Sequence, residues 1–281
     1  MNTDELRTAI DDLWTRYRND QLDATSATAD HRDQLDAFLD ALEAGDIRAA
    51  EPAGDGTWET NAWVKRGVLL NFGLRTSQPR EYGDVTYNDV LPLRETADLG
   101  ERGTRNTPDG TVLRRGAYFG RDCIAMSPAF VNIGAYVDDG TLVDSCTTVG
   151  SCAQIGANVK LGANTLIGGV LEPIEDAPVV IEDDVALGAG CRVTSGFVVR
   201  DGSVVGENTL LTPRIPVYDL VDEEIVYGEL PPERRAFQRF VDSSVADHDL
   251  FDGGAYKPAV VATDVEQETL EGTEREDALR E

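Results

Sequence analysis

The stretch Val143-Asp-Ser-Cys-Thr-Thr-Val-Gly-Ser-Cys-Ala-Gln-Ile-Gly156 places aliphatic residues at 143, 149 and 155, and the spacing of six continues on both sides. Upstream the same phase holds Leu113, Phe119, Ala125, Val131 and Val137; downstream it holds Leu161 and Ile167. Every position in the series is apolar in a chain that is only 41% hydrophobic, which chance does not explain. Four residues after nearly every aliphatic the side chain is small or β-branched, as at Ala117, Cys123, Ala129, Ala135, Thr141, Thr147, Ala153, Val159 and Thr165. A period of six fits neither a pleated strand nor an α-helix. It is the hexapeptide signature of a parallel β-helix, in which each hexad supplies a short strand and a turn. Three hexads close a triangular coil, and coils stack about 4.8 Å apart with the aliphatics inside. Cys146 and Cys152 then occupy equivalent places in consecutive hexads, roughly 120° apart about the axis, so their spacing implies neither a shared metal nor a disulfide.

After Ile167 the register slips by two across Val170-Leu-Glu-Pro-Ile-Glu-Asp-Ala-Pro178 and resumes at Ile181, Leu187, Val193, Val199, Val205, Leu211 and Val217. The slip predicts a loop protruding from one corner of the prism. Before the repeat, residues 1 to about 75 read as helical: Leu6, Ile10, Leu13, Trp14 and Tyr17 recur at three and four, and so do Leu35, Phe38, Leu39 and Leu42 ahead of a stop at Gly45. A third helix is expected across Trp63–Phe72, and residues 75–110 read as a connecting segment with short extended pieces. The resulting organisation is mainly β: a helical N-terminal domain with its connector over 1–110, a parallel β-helix over 111–220, and a closing segment with an acidic tail over 221–281. The tail from Asp264 reads as frayed.

With 52 acidic against 25 basic residues the formal charge is −27, and only Lys65, Lys160 and Lys257 among the bases are lysines. Such a surface repels nucleic acid and anionic membrane. An acidic regulator or metal buffer is one reading; adaptation to a high-salt cytoplasm, where ions screen the self-repulsion, is the other and is favoured by the even spread of acids. No apolar run reaches the roughly 20 residues of a membrane span, the N-terminus lacks the pattern of a signal peptide, and a cytoplasmic location is expected. Four cysteines without a CxxC make no disulfide scaffold.

Hexapeptide β-helices occur in acyltransferases that use coenzyme A thioesters, in γ-type carbonic anhydrases and in scaffolding proteins, so fold alone does not choose among them. Histidine narrows the choice. The chain has two, His31 and His248, both outside the repeat, which argues against a zinc site built on the coils and against acyltransferases with a histidine base there. A carboxylate must then handle protons or orient the substrate. Asp138, Asp144 and Glu182 each follow an interior aliphatic, and most such residues are solvated turn positions. Asp144 stands out because Ser145, Thr147, Thr148 and Ser151 surround it with small hydroxyls where an acidic chain would usually carry Asp or Glu.

Ala129-Phe-Val-Asn-Ile-Gly-Ala-Tyr-Val-Asp-Asp-Gly-Thr-Leu-Val-Asp144, Val149-Gly-Ser-Cys-Ala-Gln-Ile-Gly156, Ile167-Gly-Gly-Val-Leu-Glu-Pro173 and Ile181-Glu-Asp183 resemble the tetrahydrodipicolinate N-succinyltransferase family of the diaminopimelate route to lysine. The resemblance covers most of residues 1–230. It implies a left-handed β-helix, a homotrimer with active sites between subunits, and succinyl-CoA as cosubstrate without a permanently bound cofactor or metal. By resemblance Asp144 binds and activates the substrate amine, Arg105 takes a substrate carboxylate, and Ser151 belongs to the substrate site. Lys160 and Arg214 become candidates for the coenzyme phosphates or the substrate, while Gly168, Gly188 and Ala189 would let the pantetheine arm lie against backbone. One departure stands out: the family's second catalytic carboxylate, a glutamate, is replaced by Arg192 in Gly188-Ala-Gly-Cys-Arg-Val193. Asp144 with water, a stand-in such as Glu182 or Asp183, or a different substrate are the alternatives. The family tryptophan near the aspartate is also absent, with Cys146 at or near its place. Transfer from acetyl-CoA to a related amino-diacid and a non-catalytic trimer are the competing readings.

Overall fold

The computed structural model describes residues 1–266 apart from 55, 84, 109, 175, 245–247, 249, 252 and 253, and the frayed tail expected beyond Asp264 falls largely outside them. Helix α1 (Thr3–Arg18) starts at a reciprocal cap in which Asn2 accepts from the Glu5 amide and the Glu5 side chain bonds back to Asn2, and it buries Leu6, Ile10 and Leu13. Helix α2 (Ala29–Ala44) buries Leu35, Phe38, Leu39 and Leu42 and ends at Gly45 with φ of 77°. Helix α3 (Ala62–Gly73) packs against both α1 and α2, and Gly67 lets it approach α2 closely: a Cβ there would sit 2.4 Å from the Phe38 ring. Residues 1–75 are not wholly helical as the periodicity implied. A hairpin of β1 (Ala50–Pro52) and β2 (Trp58–Thr60) intervenes, its strands too short to carry an alternation signal. The connector holds a second hairpin, β3 (Gln78–Tyr82) with β4 (Val85–Asp89).

From Arg105 the chain winds into a left-handed parallel β-helix of triangular section. Its first face stacks Arg105–Asn106, Ile124–Ala125, Leu142–Val143, Lys160–Leu161, Ala186–Leu187 and Val204–Val205. The second face stacks Val112–Leu113, Phe130–Val131, Thr148–Val149, Leu166–Ile167, Arg192–Val193 and Leu210–Leu211. The third stacks Tyr118–Phe119, Tyr136–Val137, Gln154–Ile155, Val180–Ile181, Val198–Val199 and Glu229–Leu230. From Leu113 to Leu230 the second residue of each two-residue strand points inward and is buried, each such side chain contributing about 1.5–3 kcal/mol. The small position of the hexad also faces in. Where it is threonine, its hydroxyl is satisfied by backbone: Thr141 Oγ1 donates to Gly156 O at 2.9 Å and Thr147 Oγ1 to Gly162 O at 3.1 Å.

The coil begins earlier and ends later than the period of six reveals. Arg105–Asn106 opens it without an aliphatic, and Glu229–Leu230 and Arg234–Asp242 extend it after an interruption in which Val217–Asp219 pairs with Glu224–Val226. Arg234–Asp242 then folds back against Tyr256–Asp264 and covers the top. Beneath this cover Asp219, with no side-chain exposure, accepts two bonds from Arg234 Nε at 2.9 and 3.0 Å, and Arg234 Nη2 reaches Asp222 at 2.6 Å. The helical domain docks against the third face and the edge leading into it. Arg48 stacks 3.6 Å from the Tyr136 ring centroid, Tyr136 stacks on Tyr118 at 4.3 Å, and Arg48 Nε donates to Gln154 Oε1 at 3.0 Å. Fully buried Lys65 of α3 donates to the carbonyl oxygen of Asp176, inside the loop where the register slips.

Removing one partner of a buried pair strands the other, so Asp219→Ala should lower stability by about 3–5 kcal/mol. The check is the shift in the denaturant unfolding midpoint; a shift under about 1 kcal/mol would show that the cover does not depend on this pair.

Candidate active site

The three corners of the coil carry different chemistry. Along the first edge, between the first and second faces, Asp144, Gly162, Gly188 and Gly206 form a column joined by Asp144 N to Leu161 O at 3.0 Å, Gly162 N to Leu187 O at 2.9 Å and Gly188 N to Val205 O at 2.8 Å. The next column along holds Ser145, Ala163, Ala189 and Glu207, tied by Asn164 N to Ser145 O at 2.8 Å and Asn208 N to Ala189 O at 2.9 Å. Asp144 is half-buried, and its Oδ1 accepts the Ser145 amide at 2.6 Å, which fixes the carboxylate at the corner. Lys160 projects from the first face one coil above Asp144, and exposed Arg105 projects two coils below. Arg192 projects from the second face, in the same coil as Gly188 and Ala189.

The second edge, between the second and third faces, carries Ser151 and Gly168, with exposed Arg214 in the turn after Leu211. Here Gly150 faces Gly169 so closely that a Cβ on Gly150 would lie 2.2 Å from the Gly169 nitrogen. One subunit therefore brings Asp144, Gly188, Ala189, Arg105 and Lys160 to one border of the second face, and Ser151, Gly168 and Arg214 to the other. Gly188 also has a structural reason to be glycine, because a Cβ there would sit 2.8 Å from Glu207 N of the next coil.

Two sequence-based expectations need correction. Thr147 is not part of a polar wall around Asp144: it is 1% exposed and its hydroxyl is spent on Gly162 O inside the coil. Nor do Glu182 and Asp183 stand near Asp144. They lie on the third edge, where Glu182 accepts from Trp58 Nε1 at 2.9 Å and Arg200 Nη1 at 2.8 Å, and Asp183 accepts the Ala157 amide at 2.8 Å. Both serve to hold β2 and the coils together. Glu207, which the sequence reading did not single out, is instead the exposed carboxylate on the Asp144 edge, and it follows Gly206 as Ser145 follows Asp144.

The third edge has its own cleft of about 600 Å³ under the β1–β2 hairpin, lined by Arg48, Trp58, Asp138, Glu182, Arg200 and Asp201. Burial lowers the pKa of the Arg48 guanidinium, and burial together with Glu182 raises that of the Asp201 carboxyl. Asp144 does not line this cleft.

The cysteines separate by position. Cys146 and Cys152 both take the left-handed turn conformation, with φ of 61° and 66°, on the first and second edges. Cys146 is exposed, whereas Cys152 packs into the helical domain's core. Among the described residues no group of His, Cys, Asp and Glu could hold a metal ion.

The N-terminal residues 5–74 match the family model for the tetrahydrodipicolinate N-succinyltransferase N-terminal region, and residues 178–213 match that for the hexapeptide repeat of succinyl-transferase. The chain is 37% identical over 276 residues to a 2,3,4,5-tetrahydropyridine-2,6-dicarboxylate N-succinyltransferase of Polynucleobacter asymbioticus, covering 96% of this chain and 97% of that one. It is 38% identical over 288 residues to the protein of the same name from Granulibacter bethesdensis, covering all of both. A Campylobacter jejuni crystal structure described as a 2,3,4,5-tetrahydropyridine-2-carboxylate N-succinyltransferase shares the fold, with a TM-score of 0.51 at 16% identity over 82% of this chain and 62% of that one.

Burial pushes the thiols of Cys123 and Cys152 to about 12 and that of Cys191 to about 11, so only Cys146 is poised to react. A chromogenic disulfide reagent at about pH 8 should titrate one thiol per native chain, and none in Cys146→Ala. Two fast-reacting thiols in the native protein would contradict this placement of the corners.

Proposed function

The chain belongs to the tetrahydrodipicolinate N-succinyltransferase family, and from that footing we propose that it transfers the succinyl group of succinyl-CoA to the amine of ring-opened tetrahydrodipicolinate, 2-amino-6-oxopimelate. The observation that carries this reading is the first edge: a carboxylate fixed at a corner, with an arginine, Arg105, that pairs with no carboxylate among the described residues, two coils below it in a chain of net charge −27. In this reading Asp144 receives the substrate ammonium and orients the amine once its proton is lost. Arg105 holds a substrate carboxylate through its planar fork, with Ser151 as a further polar contact. The amine nitrogen then attacks the thioester carbonyl carbon, an amide bond forms, the carbon–sulfur bond breaks, and coenzyme A leaves as the thiolate, which takes up the proton that the nitrogen sheds as the amide forms.

Lys160 and Arg214 are assigned to the anionic parts of the coenzyme, and Gly168, Gly188 and Ala189 to the wall along which its thin arm runs. These groups border opposite sides of the second face, which supports a homotrimer in which one subunit's first edge meets another's second edge. The second face has apolar side chains to contribute to such a contact: Phe130 and Leu210 are half-buried and Leu166 is 39% exposed. No helix among the described residues is long and apolar enough to cross a membrane. A cytoplasm of high salt is the proposed setting, on the strength of the charge balance.

Purified protein in about molar KCl, given the imine dicarboxylate with succinyl-CoA, should release thiol, and release with neither succinyl-CoA nor acetyl-CoA would refute an enzymatic role. Asp144→Asn should cut turnover by at least about 100-fold while leaving solution mass and unfolding midpoint in place; wild-type rates would take Asp144 out of the mechanism. If the acidic surface is an adaptation to salt, raising KCl from about 0.1 to about 2 M should raise the unfolding midpoint, and a fall would rule that setting out.

A further inference from the structure

Many arginines of this protein are neutralised by a carboxylate. Arg66, Arg75, Arg94, Arg114, Arg115, Arg200 and Arg234 each sit within ion-pair distance of a carboxylate, as expected where acids outnumber bases two to one. Arg192, like Arg105 and Arg214, has no such partner among the described residues, and its surroundings set it apart. It is exposed on the second face, pairs with no carboxylate among the described residues, and spends one bond, Nη1 to Gly190 O at 3.2 Å, on the turn that contains Gly188 and Ala189. That bond anchors the guanidinium beside this turn and leaves the rest of its fork open. Its neighbours on the face are Leu166 and Leu210, so the charge stands between two apolar side chains and is less hydrated than on an open polar surface.

Position decides what such a cation can meet. Asp144 lies two coil steps away, roughly 10 Å along the axis, too far for the two to neutralise each other within one chain. Arg192 instead shares its coil with the backbone assigned above to the coenzyme arm, so it borders the acyl donor. Coenzyme A thioesters of monocarboxylic and dicarboxylic acids differ at the end remote from the thioester, where only the latter carries a carboxylate. A planar guanidinium matches that group bidentately. An unpaired arginine among apolar neighbours would lose by contacting a methyl end and gain by contacting a carboxylate.

We propose that Arg192 is a specificity-determining residue that receives the free terminal carboxylate of a dicarboxylic acyl donor and so makes the enzyme prefer succinyl-CoA over acetyl-CoA. The inference rests on the acyl-transfer reading above, and it concerns donor choice alone. No part of it requires Arg192 to take the place of a base.

Binding of succinyl-CoA and of acetyl-CoA to the wild type, Arg192→Gln and Arg192→Lys, followed by calorimetry in about molar KCl, tests it without depending on turnover. The wild type should hold succinyl-CoA tighter than acetyl-CoA by about 10- to 100-fold, the worth of one charge-assisted contact. Arg192→Gln should erase that ratio while leaving acetyl-CoA affinity unchanged, and Arg192→Lys should restore part of it. The same ratio is then read in kcat/KM. Equal losses for both donors would mean that Arg192 meets the coenzyme's phosphates, and an unchanged ratio would mean that it meets no ligand carboxylate; either overturns the proposal. Failure of the acyl-transfer reading is separate: it appears as absent thiol release from the wild type with both donors.

Discussion

Most corners of the coil turn through a residue in the left-handed backbone region, and much of the molecule is organised by that geometry. On the first edge the turns pass through Cys146, Asn164, Gly190 and Asn208, with φ between 59° and 74°; on the third edge Asn158 and Asp184 do the same. For residues other than glycine this conformation costs roughly 1–2 kcal/mol, which is why asparagine, aspartate and glycine predominate. The cost recurs at every sixth residue or so, and what offsets it is the inward aliphatic that the same turn delivers to the core. Turn and core therefore select the same period. Cys146 and Cys152 are six apart because both are turn residues, and their thiols have no joint chemistry to perform.

That coupling explains what the sequence made legible. Wherever a hexad contributes an aliphatic, its strand could be placed from composition alone, including the resumption at Ile181 after the slip. The first coil strand could not, since Arg105–Asn106 supplies no inward apolar side chain. The last ones were hidden by the strands at Val217–Asp219 and Glu224–Val226, which interrupt the count before Leu230 and Ala236 return to the interior. That Asp144 lies at a corner was legible, because it follows an interior valine. The roles of its neighbours were not, because hexad position tells which way a side chain starts and not what satisfies it. Thr147 and Thr148 look alike in sequence, yet one bonds to backbone inside the coil and the other stands on the outer face.

The acidic residues are likewise not interchangeable. On the third edge carboxylates cap amides of neighbouring coils: Asp139 accepts from Arg121 N at 2.7 Å, Asp183 from Ala157 N at 2.8 Å and Asp201 from Asp183 N at 2.9 Å. Much of the negative charge there is structural, stitching coil to coil where exposed backbone would otherwise rely on water. The first edge lacks such a ladder. Its stacked positions are filled mainly by glycine and alanine, and it is flanked by Arg105 and Arg192, which pair with no carboxylate among the described residues. Reading net charge as one number concealed this division between an edge stitched by carboxylates and an edge without them.

Solenoids ordinarily hold together through contacts between neighbouring repeats, so they can fray from an end one coil at a time. The buried bond from Lys65 to the Asp176 carbonyl joins positions 111 residues apart and ties a helix made early in synthesis to a loop made much later. The carbonyl that this loop supplies offsets part of the cost of desolvating that ammonium. The helical domain thus cannot reach its final packing until the coils up to the slip have formed, and those coils cannot peel away without exposing it. A contact of such long sequence separation works against zipper-like fraying of the coils and slows folding.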